Sequence, residues 1–393
     1  MANLSSSNGL EKRPKLRFPG FDEPYKQCCI GDIYAERSQR GASDMELLSV
    51  TMNDGVKPRS EIDGKDNSSE DKRNYKIVHE GDMVYNSMRM WQGANGISPC
   101  NGIVSPAYTV LMPKQEISNG YFAVLFKSMN LVNEFRKNSQ GMTSDTWNLK
   151  YPQIETIKVQ IPSVSEQNKV SELFSVLDER IAAQAQLVES LKKYKRGVVK
   201  AIMTKQIRFV DKNGKPYPEW LACTLQDAVD FLDGQRKPLA SADRAKRQGK
   251  YPYYGASGII DSIDDYIFDE PLILLGEDGA NIINRSSPLC FIATGKYWVN
   301  NHAHVMRPHK GQSIRFLCEL LESLDYTRYN TGTAQPKLNQ EKCRTISLSL
   351  PIYEEQCHIA DFLAAIEHKY AQENEKLDGI LQTKNALMQQ LFI

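Results

Sequence analysis

Apolar positions recur with a helical period in two stretches of this chain. In the first, Val170, Leu173, Phe174, Leu177, Ile181, Val188, Leu191 and Val198 follow i, i+3/i+4, i+7 spacing; in the second, Ile359, Phe362, Leu363, Ile366, Tyr370, Leu377, Leu381, Leu387 and Leu391 do the same. Charged and amide residues fill the positions between. Each stripe is therefore narrow, which predicts a helix pair rather than helices buried all round. Both stretches begin alike, IPSVSEQNKVSELF from Ile161 and LPIYEEQCHIADFL from Leu350, with a Pro followed by Glu166-Gln167 or Glu355-Gln356. Ser163 and Glu166 have the spacing of a capping box; Ile352 stands at the aligned position of the second start, so that cap is not repeated.

Ahead of each helix lies a region of short β-prone runs, such as Met83-Val84-Tyr85, Ile259-Ile260 and Leu272 to Leu275, bounded by Gly, Asp, Asn and Pro. The expected class is α+β: a tandem repeat of two mixed α/β domains, each followed by a long helix, the helices pairing as an antiparallel coiled coil. The composition shifts divide the chain into residues 1–155 (with a disordered tail over 1–13), a helix over 156–207, a second domain over 208–345 and a final helix over 346–393. Weaker echoes support the repeat. Gly93-Ala94-Asn95 returns as Gly279-Ala280-Asn281, Ile30-Gly31-Asp32 as Leu225-Gln226-Asp227, and Gly141 with Asn148 as Gly332 with Asn339. Residues 52–74 have almost no apolar content and predict a long exposed loop.

Composition narrows the class without naming a function. At 41% hydrophobic and 25% charged, the 393 residues form ordinary globular domains. No apolar run approaches the ~20 residues that span a membrane, and the expected location is the cytoplasm. The eight cysteines include no Cys-x-x-Cys, so a zinc site is not expected and the thiols should be reduced. His302-Ala303-His304 puts two rings on one strand face without evident further ligands, so no metal is assigned. A net charge of +1 speaks against a whole-surface DNA binder but not against a locally basic groove. Sequences for several chemistries are missing: no Pro-Pro for an adenine methyltransferase loop, no Gly-x-Gly, no P-loop around Gly214, Gly249 or Gly295, no Gly-x-Ser-x-Gly and no His-Glu-x-x-His. A binding or assembly role is the default, with no catalytic residue.

YPYYGASGIID (251–261), LLGEDGANI (274–282), KYWVNNHAHV (296–305), YNTGTAQPKLN (329–339) and PKLRFPGF (14–21), with the two Pro…Glu-Gln starts, resemble the specificity subunit of type I restriction-modification systems. The likeness covers nearly the whole chain, although residues 141–148 keep little of the pattern at 332–339. It implies two target-recognition domains at opposite ends of a stalk. A helix of about 40 residues is roughly 60 Å long, so two unlike half-sites about one DNA turn (~34 Å) or more apart would be read. The implied partners are double-stranded DNA, two methyltransferase subunits and restriction/translocase subunits. No cofactor would sit on this chain; S-adenosylmethionine, ATP and Mg would belong to the partners. A coiled-coil adaptor with two globular interaction domains and no DNA binding is the alternative.

Candidate contacts follow from residue chemistry. Asn86, Arg89, Trp91 and Gln92 lie in one strand-to-loop stretch whose guanidinium and amide groups suit guanine and adenine edges; Tyr85 and Trp91 also fit a core. In the second domain Tyr253, Tyr254, Ser257, Asn300, Asn301, His302, Arg328 and Lys337 are the candidates. Tyr253-Tyr254 equally suit packing against a sheet, and Thr333 to Asn339 equally suit an anchor to the helix. Glu277 and Asp278 repel phosphate but can accept from cytosine N4. Lys192, Lys193, Lys195 and Arg196 form either a solvated face at a helix C-terminal end or a phosphate contact. Leu173, Leu177, Ile181, Leu191, Leu363, Ile366, Leu377 and Leu381 are expected in the helix pairing.

Overall fold

The computed structural model describes residues 13–41, 44–52, 54–332 and 335–393. The chain forms two compact units, one made of the chain up to Gln186 together with Glu375–Ile393, the other of Leu187–Asn374. Most of the tail expected to be disordered, and Thr333 of the expected anchor, lie outside the described residues.

The first unit runs β1 (Lys26–Cys29), α1 (Ile30–Ile33), β2 (Tyr34–Glu36), β3 (Leu47–Thr51), β4 (Gly55–Pro58), β5 (Lys76–Val78), β6 (Met83–Asn86), β7 (Asn95–Ile97), β8 (Gly102–Val104) and β9 (Tyr108–Pro113). Helices α2 (Asn119–Leu125), α3 (Met129–Asn138) and α4 (Tyr151–Ile154), then β10 (Lys158–Ile161), lead into the long α5 (Val164–Met203). The second part of the chain continues with β11 (Leu221–Thr224), β12 (Val229–Phe231), α6 (Ser241–Ala245), β13 (Gln248–Gly255), β14 (Gly258–Ile263), β15 (Phe268–Asp269), β16 (Leu272–Gly276) and α7 (Asn281–Asn284). After these come β17 (Cys290–Ala293), β18 (Lys296–Val299), β19 (Ala303–Pro308), α8 (Ile314–Ser323), α9 (Gln340–Arg344), β20 (Ser347–Leu350) and the long α10 (Tyr353–Leu391).

The repeat is complete at the level of strand order. The first unit has sheets β1-β10, β2-β9-β6-β7 and β4-β3-β8-β5; the second has β11-β20, β12-β19-β16-β17 and β14-β13-β18-β15. Even a parallel pairing recurs, β3 with β8 and β13 with β18, among otherwise antiparallel neighbours. The apolar faces explain the arrangement. Met83, Tyr85 and Leu111 of the first unit pack on Phe122, Phe126 and Phe135, while Ile273, Leu275 and Met306 of the second pack on Phe316, Leu317 and Leu320.

The two helix starts share the same two fastening bonds. Gln167 accepts the backbone N–H of Ser118, at the head of α2, at 3.0 Å and donates to Pro162 O at 3.0 Å. Gln356 accepts the N–H of Ser313, at the head of α8, at 2.9 Å and donates to Pro351 O at 2.9 Å. An unpaired buried amide is destabilising, so each Gln locks a long helix onto its own domain. The neighbouring glutamates are buried as well. Glu166 accepts from Nε and Nη2 of Arg17 (2.9 and 2.8 Å) and from the Tyr25 hydroxyl (3.3 Å), rather than closing a capping box on Ser163. Glu355 receives Arg208 at 3.4 Å. Arg17-Phe18 and Arg208-Phe209 are thus a further echo, the rings joining the core of their respective units.

Of the weaker echoes, one is real. Asp32 accepts the N–H of Cys29 and Asp227 that of Thr224, both at 2.8 Å, beside matching bonds from Ile30 N to Ile157 O and Leu225 N to Ile346 O. The other two are corrected. Gly93-Ala94-Asn95 runs into β7, whereas Gly279-Ala280-Asn281 leads into α7. Buried Leu149 and Leu338 donate to Ser87 O (2.8 Å) and Glu277 O (2.7 Å), so Asn148 corresponds to Lys337, and Lys150, ahead of α4, to Asn339, the cap of α9. The stretch 52–74 also contains strand β4, paired with β3 and buried at Gly55 and Val56.

The helices run antiparallel within each unit. Phe174 stacks on Phe392 and Asp178 pairs with Lys384 in the first; Ile202 meets the core with Ile359 and Leu363, and Lys195 pairs with Glu367, in the second. Leu173 and Leu177 pack on the first core and Leu363 and Ile366 belong to or pack on the second. Ile181, Leu191 and Leu377 are half-buried, whereas Leu381 is 39% exposed and is not a seam residue of the kind expected.

Candidate nucleic-acid interface

In each unit three connections meet at one end of the central sheet: the one after β6 (or β16), the one before β9 (or β19), and the segment that leads to α4 (or α9). Backbone bonds hold them. Ser87 N donates to Ala107 O and Leu149 N to Ser87 O in the first unit; Glu277 N donates to His302 O and Leu338 N to Glu277 O in the second. Loops gathered on a rigid scaffold are the usual place for binding residues.

In the first unit this end carries Asn86, Met88, Arg89, Trp91, Gln92 and Trp147. Tyr85 is core. Asn86 fixes its own turn by accepting from Met88 N at 3.0 Å, which leaves its amide nitrogen free of that bond. Gln92 is exposed and Arg89 partly so. Trp91 is half-buried: its indole N–H donates to Met88 O at 3.1 Å and its ring meets that of Trp147 edge-on at 5.3 Å. The exposed Arg136 lies over the Trp91 ring at 5.8 Å. Trp91 therefore ties two loops together, and Arg89 and Gln92 remain the groups able to reach a base edge. Trp147 and Arg136 are missed by sequence reasoning; a second Trp beside a mismatched repeat segment was the available signal.

The second unit brings together Ser257, Asn301, His302 and Lys337 with Glu277 and Asp278. Gly276 lies so close to Ala256 O that a Cβ would sit 2.6 Å from it, which puts the Ser257 turn beside this cluster. Asp278 pairs across a bridge with Lys337 and accepts from His302 Nδ1 at 2.7 Å; Lys337 Nζ is 3.4 Å from Glu277. A carboxylate held by an imidazole N–H and still partly exposed can accept a further amino proton.

Two candidates are buried, and two more have ring partners. Tyr253 is fully buried, accepting the N–H of Leu239 at 2.9 Å on its hydroxyl. Asn300 is 4% exposed and spends its carbonyl on His302 N at 2.8 Å. Neither can touch a base without unfolding: strand alternation turns Tyr253 of β13 inward, and Asn300, just past the end of β18, is held by its own turn. Tyr254 is half-buried, stacked on Phe291, and burial raises its phenol pKa. Arg328 is exposed but lies over Tyr329 at 4.9 Å.

Of the basic run on α5, Lys192 and Lys193 are exposed. Lys195 is committed to Glu319 (3.2 Å) and Glu367 (2.9 Å); burial opposes its charge, and these partners outweigh that and raise its pKa. It is a structural ion pair rather than a phosphate ligand. Arg196 lies 4.0 Å from Glu189, a loose contact that leaves it open to solvent. Among the described residues no cluster of His, Cys, Asp and Glu could hold a metal ion, and no helix is long and apolar enough to cross a membrane.

Comparison with known proteins fits this repeat. The family described as type I restriction modification DNA specificity domain matches twice, over residues 25–193 and 218–382. A chain named as a putative type I restriction enzyme specificity subunit in Haemophilus influenzae is 30% identical over 142 residues, 36% of each chain, so this chain spans about a third of that relative. The MjaVIII specificity subunit of Methanocaldococcus jannaschii is 24% identical over 356 residues, covering 80% of this chain and 79% of the other. Among solved structures, a type I restriction-modification S subunit from M. genitalium superposes with a TM-score of 0.61 at 15% identity, over 97% of this chain and 99% of that one. A chain from a study of complex assembly in a type I system gives 0.60 at 12% identity, covering 96% and 99%. At these identities the structures speak for the fold alone.

Proposed function

The chain belongs to the type I restriction-modification DNA specificity family, and from that premise we propose that it selects the DNA target for a modification and restriction complex. Each unit reads one half of a bipartite, asymmetric site, the first with Arg89 and Gln92, the second with Ser257, Asn301, His302, Lys337 and Asp278. Lys192, Lys193 and Arg196 contact phosphates. The chain supplies sequence choice, while partner subunits supply chemistry: two methyltransferase subunits with S-adenosylmethionine, and a restriction subunit that uses ATP and Mg. A base to be methylated is flipped out of the duplex into a partner's pocket.

One observation carries the reading. The two units have the same strand order but present different side chains at the same three connections, as expected of one scaffold reading two unlike sequences. The test is methylated-base sequencing of DNA from cells holding this chain with a methyltransferase partner, against the partner alone. A new motif of two short unlike half-sites around a fixed spacer is expected. A stable complex without new methylation would favour the adaptor alternative.

A further inference from the structure

Behind the exposed cluster of the second unit lies a buried polar network that neither the binding surface nor the core explains. His304, on β19, is 1% exposed. Its Nδ1 is 2.7 Å from Asp233 Oδ2 and its Nε2 is 2.9 Å from Leu338 O. A carboxylate and a carbonyl can only accept, so both ring nitrogens donate and the ring is an imidazolium. Burial opposes that charge, but the bond to Asp233, with Cys343 close by, outweighs it and pushes the pKa up to about 10.

The network joins four segments. Asp233 also accepts from Gln340 Nε2 (2.9 Å) and Val305 N (2.8 Å). Arg236, three residues on, donates to Glu277 (2.8 Å) and Ala303 O (2.7 Å). Through Glu277, its outer edge meets His302 and Lys337 of the proposed reading surface. The equivalent position of the first unit carries no imidazole: Thr109 stands opposite Tyr85 as His304 stands opposite Leu275, and its hydroxyl bonds across to that of Ser87 at 2.8 Å.

We propose that His304 is a positioning residue for target reading by the second unit: its two ring N–H bonds fix the strand leading from His302 against the segment carrying Lys337. The inference rests on the DNA-reading role proposed above. A ring that only filled the core would not need two opposed acceptors from different segments. Losing the bonds frees Lys337 and Glu277 to shift against His302 and Asp278, and base discrimination falls steeply with such shifts because bidentate contacts need fixed geometry.

The experiment uses the full complex with a methyltransferase partner and reads the methylated motif. If the unsubstituted chain directs no sequence-specific methylation, the DNA-reading role itself fails. Where it does, His304→Gln is expected to relax the second half-site, lowering discrimination there tenfold or more, with the first half-site unchanged. Adding Asp233→Asn should restore it, because the introduced glutamine side chain can then donate to Leu338 O and accept from the introduced asparagine amide. A uniform loss of methylation with the motif intact would overturn the proposal and leave His304 a stability residue. If His304→Gln does not accumulate as folded protein, Gln340→Ala decides: relaxation confined to the second half-site supports the role, and an unchanged motif overturns it.

Discussion

The two units share every sheet and differ at their loop ends, the first meeting solvent with Arg89, Gln92 and a pair of indoles, the second with acids, a histidine and a lysine. What is kept is the set of buried bonds that joins domain to helix: Gln167 and Gln356 make the same two bonds, to residues in the same two places. What varies lies at the loop ends, where most of the side chains reach solvent and none joins domain to helix. The bonds that fasten helix to domain and the side chains that face solvent at the loop ends therefore belong to separate residues, so the helix fastening can be kept while the reading surface changes.

The buried glutamates offer the strongest way to break this picture. Glu166 is satisfied bidentately by Arg17, whereas Glu355 receives one long bond from an Arg208 that also serves Glu219, Tyr217 O and Pro218 O. Arg17→Ala is expected to destabilise the first unit by roughly 3–5 kcal/mol, the usual result of stranding a buried charge. Arg208→Ala should weaken the second unit less, as followed by hydrogen exchange resolved to each unit; equal losses would mean the fasteners are equivalent after all. A second difference is titratable. The folded pKa of His304, near 10, lies above its unfolded value of 6.5. Its contribution is complete below pH 6.5 and is lost as pH rises through 10, by at most about 1.4 kcal/mol per pH unit. The groups facing it are Asp233, Glu277 and Cys343. Urea midpoints of the second unit should therefore fall over that range, and the His304→Gln variant should lack the slope.

Smaller effects test the reading side. Arg89→Ala should weaken discrimination in one half-site, and His302→Ala in the other, each by about 1–3 kcal/mol in competition binding. Crossed effects would sink the assignment of one half-site to each unit. Least of all, Trp147→Leu should remove an edge-on ring contact worth about 0.5–1.5 kcal/mol. Its expected sign is faster exchange of the amides near Trp91, with the second unit unchanged.

Much of this fold was legible in the sequence. A helical stripe needs only local periodicity, and α5 and α10 carry the two stripes. The ranges 156–207 and 346–393 drawn for the helices also take in strands β10 and β20, which close each domain just before its helix starts. The Ile30-Asp32 echo held because a one-turn cap depends on neighbours. Glu166 misled, because its spacing from Ser163 is local but its partner, Arg17, is distant in sequence. Tyr253 and Asn300 misled for a related reason: aromatic and amide side chains suit a base edge and a buried hydrogen bond equally, and only the strand register of Tyr253 and the turn at Asn300 decide. The displaced match of Asn148 with Asn339 shows how loops of unequal length defeat alignment by identity when the anchors are Leu149 and Leu338. Arg17-Phe18 and Arg208-Phe209 were visible but too short to weigh without their glutamates.

The contact of Phe392 with Phe174 and Tyr121 has a consequence for biosynthesis. Leu387, Met388, Leu391 and Phe392 complete the core of the first unit, yet a ribosome makes them only after the whole second unit. The unit begun first is thus the one finished last. Until its final turn of helix emerges, the aromatic cluster around Phe174 stays uncapped, and this half of the nascent chain depends longest on protection from aggregation.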